Sequence, residues 1–229
     1  MLLRKWEDLP EFMRIEEVRP YYESLSQKKL QLFIKRVFDV VLSLVLLIIL
    51  LPVFLILAIW IKVDSDGPVF YRQERVTQYG KIFKIFKFRT MVVNADRIGS
   101  LVTTQNDVRV TKVGEKIRNY RLDEIPQLLN VLIGDMTFVG TRPEARKFVI
   151  SYKPEMLATL LLPAGITSEA SIRYKDEAKI LDKADDIDTV YTELILPEKM
   201  KYNLDSLKHF NFFNDLLSML KTFTSVVNI

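Results

Sequence analysis

The sequence predicts a mainly α-helical chain with a smaller α+β portion. A membrane helix bent at Pro52 precedes a small polar domain, which carries a β-hairpin and ends in an amphipathic helix. Three observations predict this. Val40 to Ile61 is a run of 22 residues without a charge, in which Ser43 is the one clearly polar side chain. Strand-like segments, Val69 to Val76 and Lys81 to Phe88, flank Tyr79-Gly80. Near the end, Leu204, Leu207, Phe210, Phe213, Leu217, Leu220, Phe223 and Val227 recur at spacings of three and four.

In chain order, residues 1–32 are mixed and charged, contain Pro10 and Pro20, and read as an irregular or helical arm. Residues 33–63 hold the anchor. As a helix its apolar run is about 33 Å long, enough for a hydrocarbon core of about 30 Å. It begins too late and runs too long for a cleavable signal peptide. A buried helix of a soluble core is the competing view, disfavoured by this length and aliphatic density. Pro52 removes a backbone donor in mid-run, so a kink or break is expected there. Lys28, Lys29, Lys35 and Arg36 precede the run, and Lys62, Arg72, Arg75, Lys81 and Lys84 follow it, so flanking charge sets no direction. A helix that enters one leaflet, bends at Pro52 and returns accounts for both facts. A kinked span remains open.

Residues 64–229 form the remaining domain, opening on the turn signal Asp64-Ser65-Asp66-Gly67-Pro68. Val113 to Tyr120 reads as a helix starting after Thr111. In Leu122-Asp123-Glu124-Ile125-Pro126-Gln127-Leu128-Leu129-Asn130-Val131-Leu132-Ile133-Gly134, Pro126 suits a first helical turn and Gly134 the C′ position. That places Asp123 and Glu124 at a helix N-terminus. The aromatics of the C-terminal stretch suit either core or membrane interface.

Composition excludes much chemistry. There is no cysteine, hence no disulfide scaffold, thiol nucleophile or iron–sulfur cluster. A single histidine, His209, excludes a multi-histidine metal site and argues against a Ser-His-Asp triad; a surface or interface role suits it. Seven glycines supply neither a Walker A loop nor a GxGxxG motif. Chemistry falls to carboxylates, hydroxyls, Lys and Arg. Residues 67–121 hold 12 Lys/Arg against 4 Asp/Glu, whereas residues 169–205 hold 6 against 10. A basic stretch just after a membrane segment favours anionic partners such as lipid headgroups, phosphates or nucleotides. The anchor argues against nucleic acid.

Asp123-Glu124 alone would pass for a helix cap. With Arg118 and Arg121 upstream and Asp135 and Gly140-Thr141-Arg142-Pro143-Glu144 downstream, the pair suggests a Mg²⁺–phosphate site. Mg²⁺ takes one or two carboxylates plus phosphate oxygens, and Arg forks bind phosphate.

Several blocks resemble the bacterial sugar transferases known as monotopic phosphoglycosyl transferases. They are Lys35-Arg36-Val37-Phe38-Asp39, Pro52 in the apolar run, Gly67 to Arg75, Lys84 to Met91, Leu122 to Val131, Gly134 to Pro143 and Pro163 to Thr167. The resemblance covers about residues 33–228. It implies a re-entrant membrane helix bent at Pro52 and a small domain on the cytoplasmic face of the bacterial inner membrane. It also implies transfer of a sugar 1-phosphate from a UDP-sugar to a polyprenyl (undecaprenyl) phosphate, with UMP released, at the start of capsule, O-antigen, exopolysaccharide or glycoprotein glycan synthesis. By resemblance Asp123 is the nucleophile that forms an aspartyl-phosphosugar, and Glu124 is its partner in metal binding or proton handling. Arg118 matches a phosphate-binding arginine, and Arg142 and Pro143 match a Pro-Arg-Pro substrate loop. Lys87 and Arg89 are expected to bind anions, with Mg²⁺ at Asp123 and Glu124. Asp135 and Gln127 suit folding roles equally well. Anionic membrane lipids are expected partners; a homo-oligomer is left open. Two positions depart from the pattern: Thr141 replaces the first proline of Pro-Arg-Pro, and Leu51-Pro52 replaces Ser-Pro. The alternative is a membrane-anchored, lipid-binding scaffold without catalysis, which would have no use for the carboxylate pair.

Overall fold

A computed structural model of the chain describes residues 3–95, 107–174, 181 and 186–227. The first segment folds onto the domain. Two 3-10 turns, Trp6–Asp8 and Glu11–Met13, lead into α1 (Arg19–Ser26). Leu9, Met13, Val18, Tyr21 and Leu25 are buried against Leu160, Leu161, Leu204 and Leu207. Arg4 lies over the ring of Tyr79 at the hairpin turn. These apolar side chains have the spacing of short turns, and burying each contributes about 1.5–3 kcal/mol.

The apolar run forms two helices, α2 (Lys29–Ile49) and α3 (Leu51–Asp64). No single helix among the described residues is long and apolar enough to cross a membrane; the two together meet that test by length and composition alone, and they are bent by 61°. The break falls at Leu50, just ahead of Pro52. Proline has no N–H for the carbonyl four residues back, and its ring displaces the preceding turn. Lys35, Asp39 and Ser43 recur every four residues and are buried against the domain. Val41, Leu44, Val45, Ile48 and Ile49 of α2 and Leu55, Ile56, Ile59 and Val63 of α3 are exposed. A helix with its polar stripe inward and its aliphatic face outward inverts the pattern of a soluble helix.

The predicted hairpin is present. Strands β1 (Phe70–Val76) and β2 (Ile82–Phe88) pair antiparallel from Phe70↔Phe88 to Val76↔Ile82. The turn carries Tyr79 at φ 59° and Gly80 at φ 76°. Helix α4 (Lys112–Asn119) matches the expected start, with Thr111 Oγ1 accepting from Gly114 N–H at 3.0 Å. After it come α5 (Gln127–Ile133), β3 (Met136–Val139), α6 (Arg146–Val149), β4 (Ala164–Thr167) and α7 (Glu169–Arg173). Strands β3 and β4 form a parallel pair that the sequence pattern does not announce. The backbones of Gly140 and Gly165 approach so closely that a Cβ on Gly165 would lie 2.2 Å from Gly140 N and O.

Helix α8 (Ile187–Val190) runs through a π turn, Tyr191–Ile195, into α9 (Leu196–Lys208), and α10 is Phe212–Val227. This corrects the single C-terminal helix expected from Leu204 to Val227. Asn211 ends the run and restarts it: its side chain accepts from Phe213 N–H at 2.9 Å and its carbonyl from Asp215 N–H at 3.2 Å, an N-cap. The aromatics divide at that cap. Phe210 is buried in the core, whereas Phe213 and Phe223 are exposed with Leu217 and Leu220. The side chain of Val227 lies outside the described residues.

The arrangement that serves the site is a packed layer. Phe83 and Ile85 of β2, Leu128 and Val131 of α5, Met136 and Phe138 of β3 bury together against Leu42, Leu46 and Leu47 of α2 and Leu50 at the break. Helix α2 and the residues of α5 therefore share one core.

Candidate active site

Asp123 and Glu124 lie in a tight bend between α4 and α5. Arg121 takes the left-handed conformation, φ 53° and ψ 23°, and Leu122–Glu124 form a 3-10 turn. The sequence places Pro126 in the first helical turn; in the structure α5 begins one residue later, so the pair precedes the helix. Gly134 at φ 96° ends α5 as expected, its N–H reaching the carbonyls of Asn130 and Val131. Left-handed backbone at Gly134 costs nothing sterically; at Arg121 it does.

Three anchors fix this bend. Asn130 on α5 accepts from Phe86 N–H at 2.8 Å and donates to Lys84 C=O at 3.1 Å, tying α5 to the edge of β2. Arg36 on α2 donates to the carbonyls of Val131 and Leu132 at 2.6 and 2.9 Å, satisfying the end of α5. Asp39 on α2 accepts from Thr137 Oγ1 at 2.7 Å and Phe138 N–H at 3.3 Å. Nearby, Lys35 pairs with Asp215 of α10 at 2.7 Å.

The two carboxylates have opposite surroundings. Glu124 Oε1 accepts from Lys87 Nζ at 2.9 Å and from Arg142 at 2.5 Å. Burial pushes the Glu124 carboxyl up, but Arg142 and Lys87 outweigh it and hold the carboxyl well below the usual glutamate range. Asp123 is half-buried and has no hydrogen bond or ion pair with the described residues. Burial raises its carboxyl above the ordinary aspartate value; Lys87 opposes this, and the charge of Glu124 adds to it.

Asp123 opens on a cavity of about 430 Å³ whose other charged walls, among the described residues, are all cationic. Arg118 lines it, half-buried and without a partner among the described residues. Arg89 lines it too, with its fork committed to the carbonyls of Ser65 and Asp66. Tyr71, Gln73 and Arg75 face it from alternate positions of β1. Burial pushes the Arg75 guanidinium down from its ordinary value, with Glu144 opposing. Arg72 also lines it and lies over the Phe86 ring, 3.5 Å from the centroid. Glu124 faces a second, more apolar groove of about 360 Å³, walled by Leu46, Leu50, Ile125, Leu128, Phe138 and Ile166. Arg121 and Arg142 provide its positive charge. Among the described residues, no group of three or more His, Cys, Asp or Glu side chains converges.

The structure thus brings Asp123, Glu124, Lys87, Arg118 and Arg142 together. Pro143 is buried and lines neither cavity. Asp135 pairs with Lys81 at 2.8 Å, and both polar atoms of the buried Gln127 amide are without a partner among the described residues. His209 is exposed beside Asp205 and lines neither cavity. The sequence reading named Arg121 beside the carboxylate pair without giving it a role of its own, and did not single out Arg75 or the inward stripe of α2. Period two along β1 and period four along an apolar helix are the signals that mark the last two; the left-handed backbone at Arg121 had none.

Residues 30–229 match the family model described as bacterial sugar transferase. The chain belongs to that family. Within the bacterial sugar transferases, it is 33% identical over 207 residues to the UDP-N-acetylgalactosamine-undecaprenyl-phosphate N-acetylgalactosaminephosphotransferase of Aeromonas hydrophila, covering 89% of this chain and 46% of that one. It is 34% identical over 196 residues to the UDP-glucose:undecaprenyl-phosphate glucose-1-phosphate transferase of Caulobacter vibrioides, covering 84% and 69%. It is 32% identical over 211 residues to the undecaprenyl-phosphate galactose phosphotransferase of Salmonella typhimurium, covering 85% and 40%. The chain therefore spans under half the length of two of these relatives, and the sugars in the three names differ.

Proposed function

We propose that this chain transfers a sugar 1-phosphate from a UDP-sugar to a polyprenyl phosphate, releasing UMP, at the first membrane step of glycoconjugate synthesis. One observation carries the proposal: a carboxylate without a partner among the described residues, Asp123, opens on a cation-lined cavity while its neighbour Glu124 faces an apolar groove under the helix bend. A soluble, anionic donor suits the first space and a lipid acceptor the second. The names of the relatives support both substrate classes.

In the first half-reaction an Asp123 oxygen attacks the sugar-bearing phosphorus. A new O–P bond forms, the bridging P–O bond to UMP breaks, and UMP leaves with that electron pair. In the second, an oxygen of polyprenyl phosphate attacks the same phosphorus, a diphosphate forms, and Asp123 departs as carboxylate. Dividing the transfer lets two unlike substrates use one phosphorus in turn, the logic of covalent catalysis. Lys87 and Arg142 are held in place by Glu124 and stabilise charge that builds on the transferring group. Arg118 is available for a donor phosphate. Asp123 with Glu124 would hold a Mg²⁺ ion of the kind that takes few protein ligands and several phosphate oxygens, and such an ion would neutralise the donor diphosphate.

On this reading the bent pair lies in one leaflet with both ends on the cytoplasmic side of the inner membrane; the 61° bend and the positive flanks support it. The exposed Phe213, Leu217, Leu220 and Phe223 of α10 suit contact with the same bilayer surface, where anionic lipids meet the basic segment.

The test is UMP release by purified protein in nanodiscs with Mg²⁺, undecaprenyl phosphate and a panel of UDP-sugars, with Asp123→Asn as control. Release with one donor, dependent on lipid and lost in the variant, is expected. Full activity in Asp123→Asn protein would overturn the mechanism.

A further inference from the structure

We infer that Arg121 is the anchor for the phosphate of the lipid acceptor, and that the groove beneath the helix bend is where that phosphate and its first isoprene units lie. The inference rests on the proposed function and assigns a role within it.

The groove has an apolar wall made by Leu46 of α2 and Leu50 at the break in the bent helix pair, together with Ile125, Leu128 and Phe138. Its cations are Arg121 and Arg142. Arg142 is already bound to Glu124. Arg121 is exposed where it lines the groove, and its guanidinium has no hydrogen bond or ion pair with the described residues. A guanidinium beside apolar walls is stabilised when an anion joins it, and its planar fork suits phosphate.

Two features indicate that the anion comes joined to an apolar chain. Leu46 belongs to, and Leu50 joins, the helices whose outer faces are exposed aliphatic side chains, so the groove is continuous with the part of the molecule suited to lipid. The cavity on the Asp123 side, in contrast, is lined with further arginines and suits a highly charged soluble ligand. The two spaces are separated at the dyad, one residue facing each.

The backbone adds an independent observation. Arg121 sits at φ 53°, one of three non-glycine residues with positive φ among those described. A non-glycine residue in this region is held at a cost of about 1–3 kcal/mol, and such residues concentrate at ligand sites. The conformation is fixed on both sides: Arg121 N–H donates to Arg118 C=O at 2.9 Å, and Glu124 N–H donates to Arg121 C=O at 3.4 Å. The bend that presents Asp123 to one space thus directs Arg121 toward the other.

The experiment separates the two half-reactions in nanodiscs made from phosphatidylcholine alone and in a second set that includes phosphatidylglycerol, using wild type, Arg121→Asn and Arg121→Lys. Asparagine tolerates left-handed backbone, so Arg121→Asn removes the guanidinium without adding strain. The donor half-reaction is read as the burst of UMP in the absence of acceptor, and the second as dependence of product on undecaprenyl phosphate concentration. For Arg121→Asn the expected result is an unchanged UMP burst with acceptor kcat/KM lowered about 10- to 100-fold, the range for a lost charged hydrogen bond. Arg121→Lys should recover part of it. An unchanged acceptor dependence, or equal loss of the burst and the acceptor step, would overturn the assignment while leaving the proposed function intact. Acceptor loss that appears only when phosphatidylglycerol is included would assign Arg121 to bilayer headgroups instead, and would also overturn it. No burst and no transfer by wild type with any donor would instead count against the proposed function itself.

Discussion

Replacing Asn130 by leucine tests whether the site is held by the side-chain bridge between α5 and β2. Asn130 is fully buried, and its amide serves two backbone groups, Phe86 N–H at 2.8 Å and Lys84 C=O at 3.1 Å. Leucine is close to asparagine in size but offers neither partner. Each buried group left unsatisfied costs about 1–3 kcal/mol, so the pair costs about 2–6 kcal/mol. For a chain of this size about 1 kcal/mol shifts the melting temperature by about 2–4 °C, which gives a drop of roughly 5–20 °C. Asn130→Asp keeps the acceptor for Phe86 and loses the donor to Lys84, so it should fall between wild type and leucine at neutral pH. The assay is thermal unfolding in detergent followed by circular dichroism. Because β2 also carries Lys87, UMP release should fall with stability in the leucine variant. A melting temperature within about 2 °C of wild type would refute the claim that this amide holds the two elements together.

Further outcomes follow from the same geometry. The acid limb of the UMP burst should lie above the ordinary aspartate range. Burial raises the Asp123 carboxyl, so protonation silences it at a higher pH than for a free side chain, and a limb at or below the ordinary value would contradict this. Glu124→Gln should cut transfer by about 100-fold or more, because Lys87 and Arg142 lose their shared anchor; steady-state UMP release at saturating substrates checks it. Gly165→Ala should yield no folded protein on size-exclusion in detergent, since a Cβ would meet Gly140 backbone at 2.2 Å. Lys35→Met should destabilise by about 3–5 kcal/mol by stranding Asp215, and adding Asp215→Leu should recover most of that in a double-mutant cycle of unfolding free energies.

Much of the catalytic vocabulary is legible in the order of residues. Asp123-Glu124, Arg118, Lys87 and Arg142 stand out as charged side chains in recognisable blocks, and the structure gathers all of them. The hairpin follows from strand-like runs around Tyr79-Gly80, the end of α5 from Gly134, and the break in the apolar run from Pro52. Each is a local consequence of backbone chemistry: a turn needs positive φ, a helix end needs a left-handed residue, and proline lacks a donor.

Other features depend on groups far apart in the chain. The unlike states of Asp123 and Glu124 depend on Lys87, from the hairpin, and Arg142, from the loop after β3, meeting one carboxylate and leaving the other bare. Adjacent acids in a sequence carry no sign of which will be paired. The C-terminal break at Asn211 is equally hidden, because the apolar spacing continues across it while the N-cap interrupts the helix. The side of the molecule each apolar residue meets is also a tertiary matter: Phe210 enters the core and Phe213 stays outside. Composition and spacing by themselves determined the broken apolar helix pair, the hairpin and the kinds of reactive group. Tertiary structure decided how those groups divide between two cavities, because ionisation and accessibility depend on distances between residues that the chain keeps far apart.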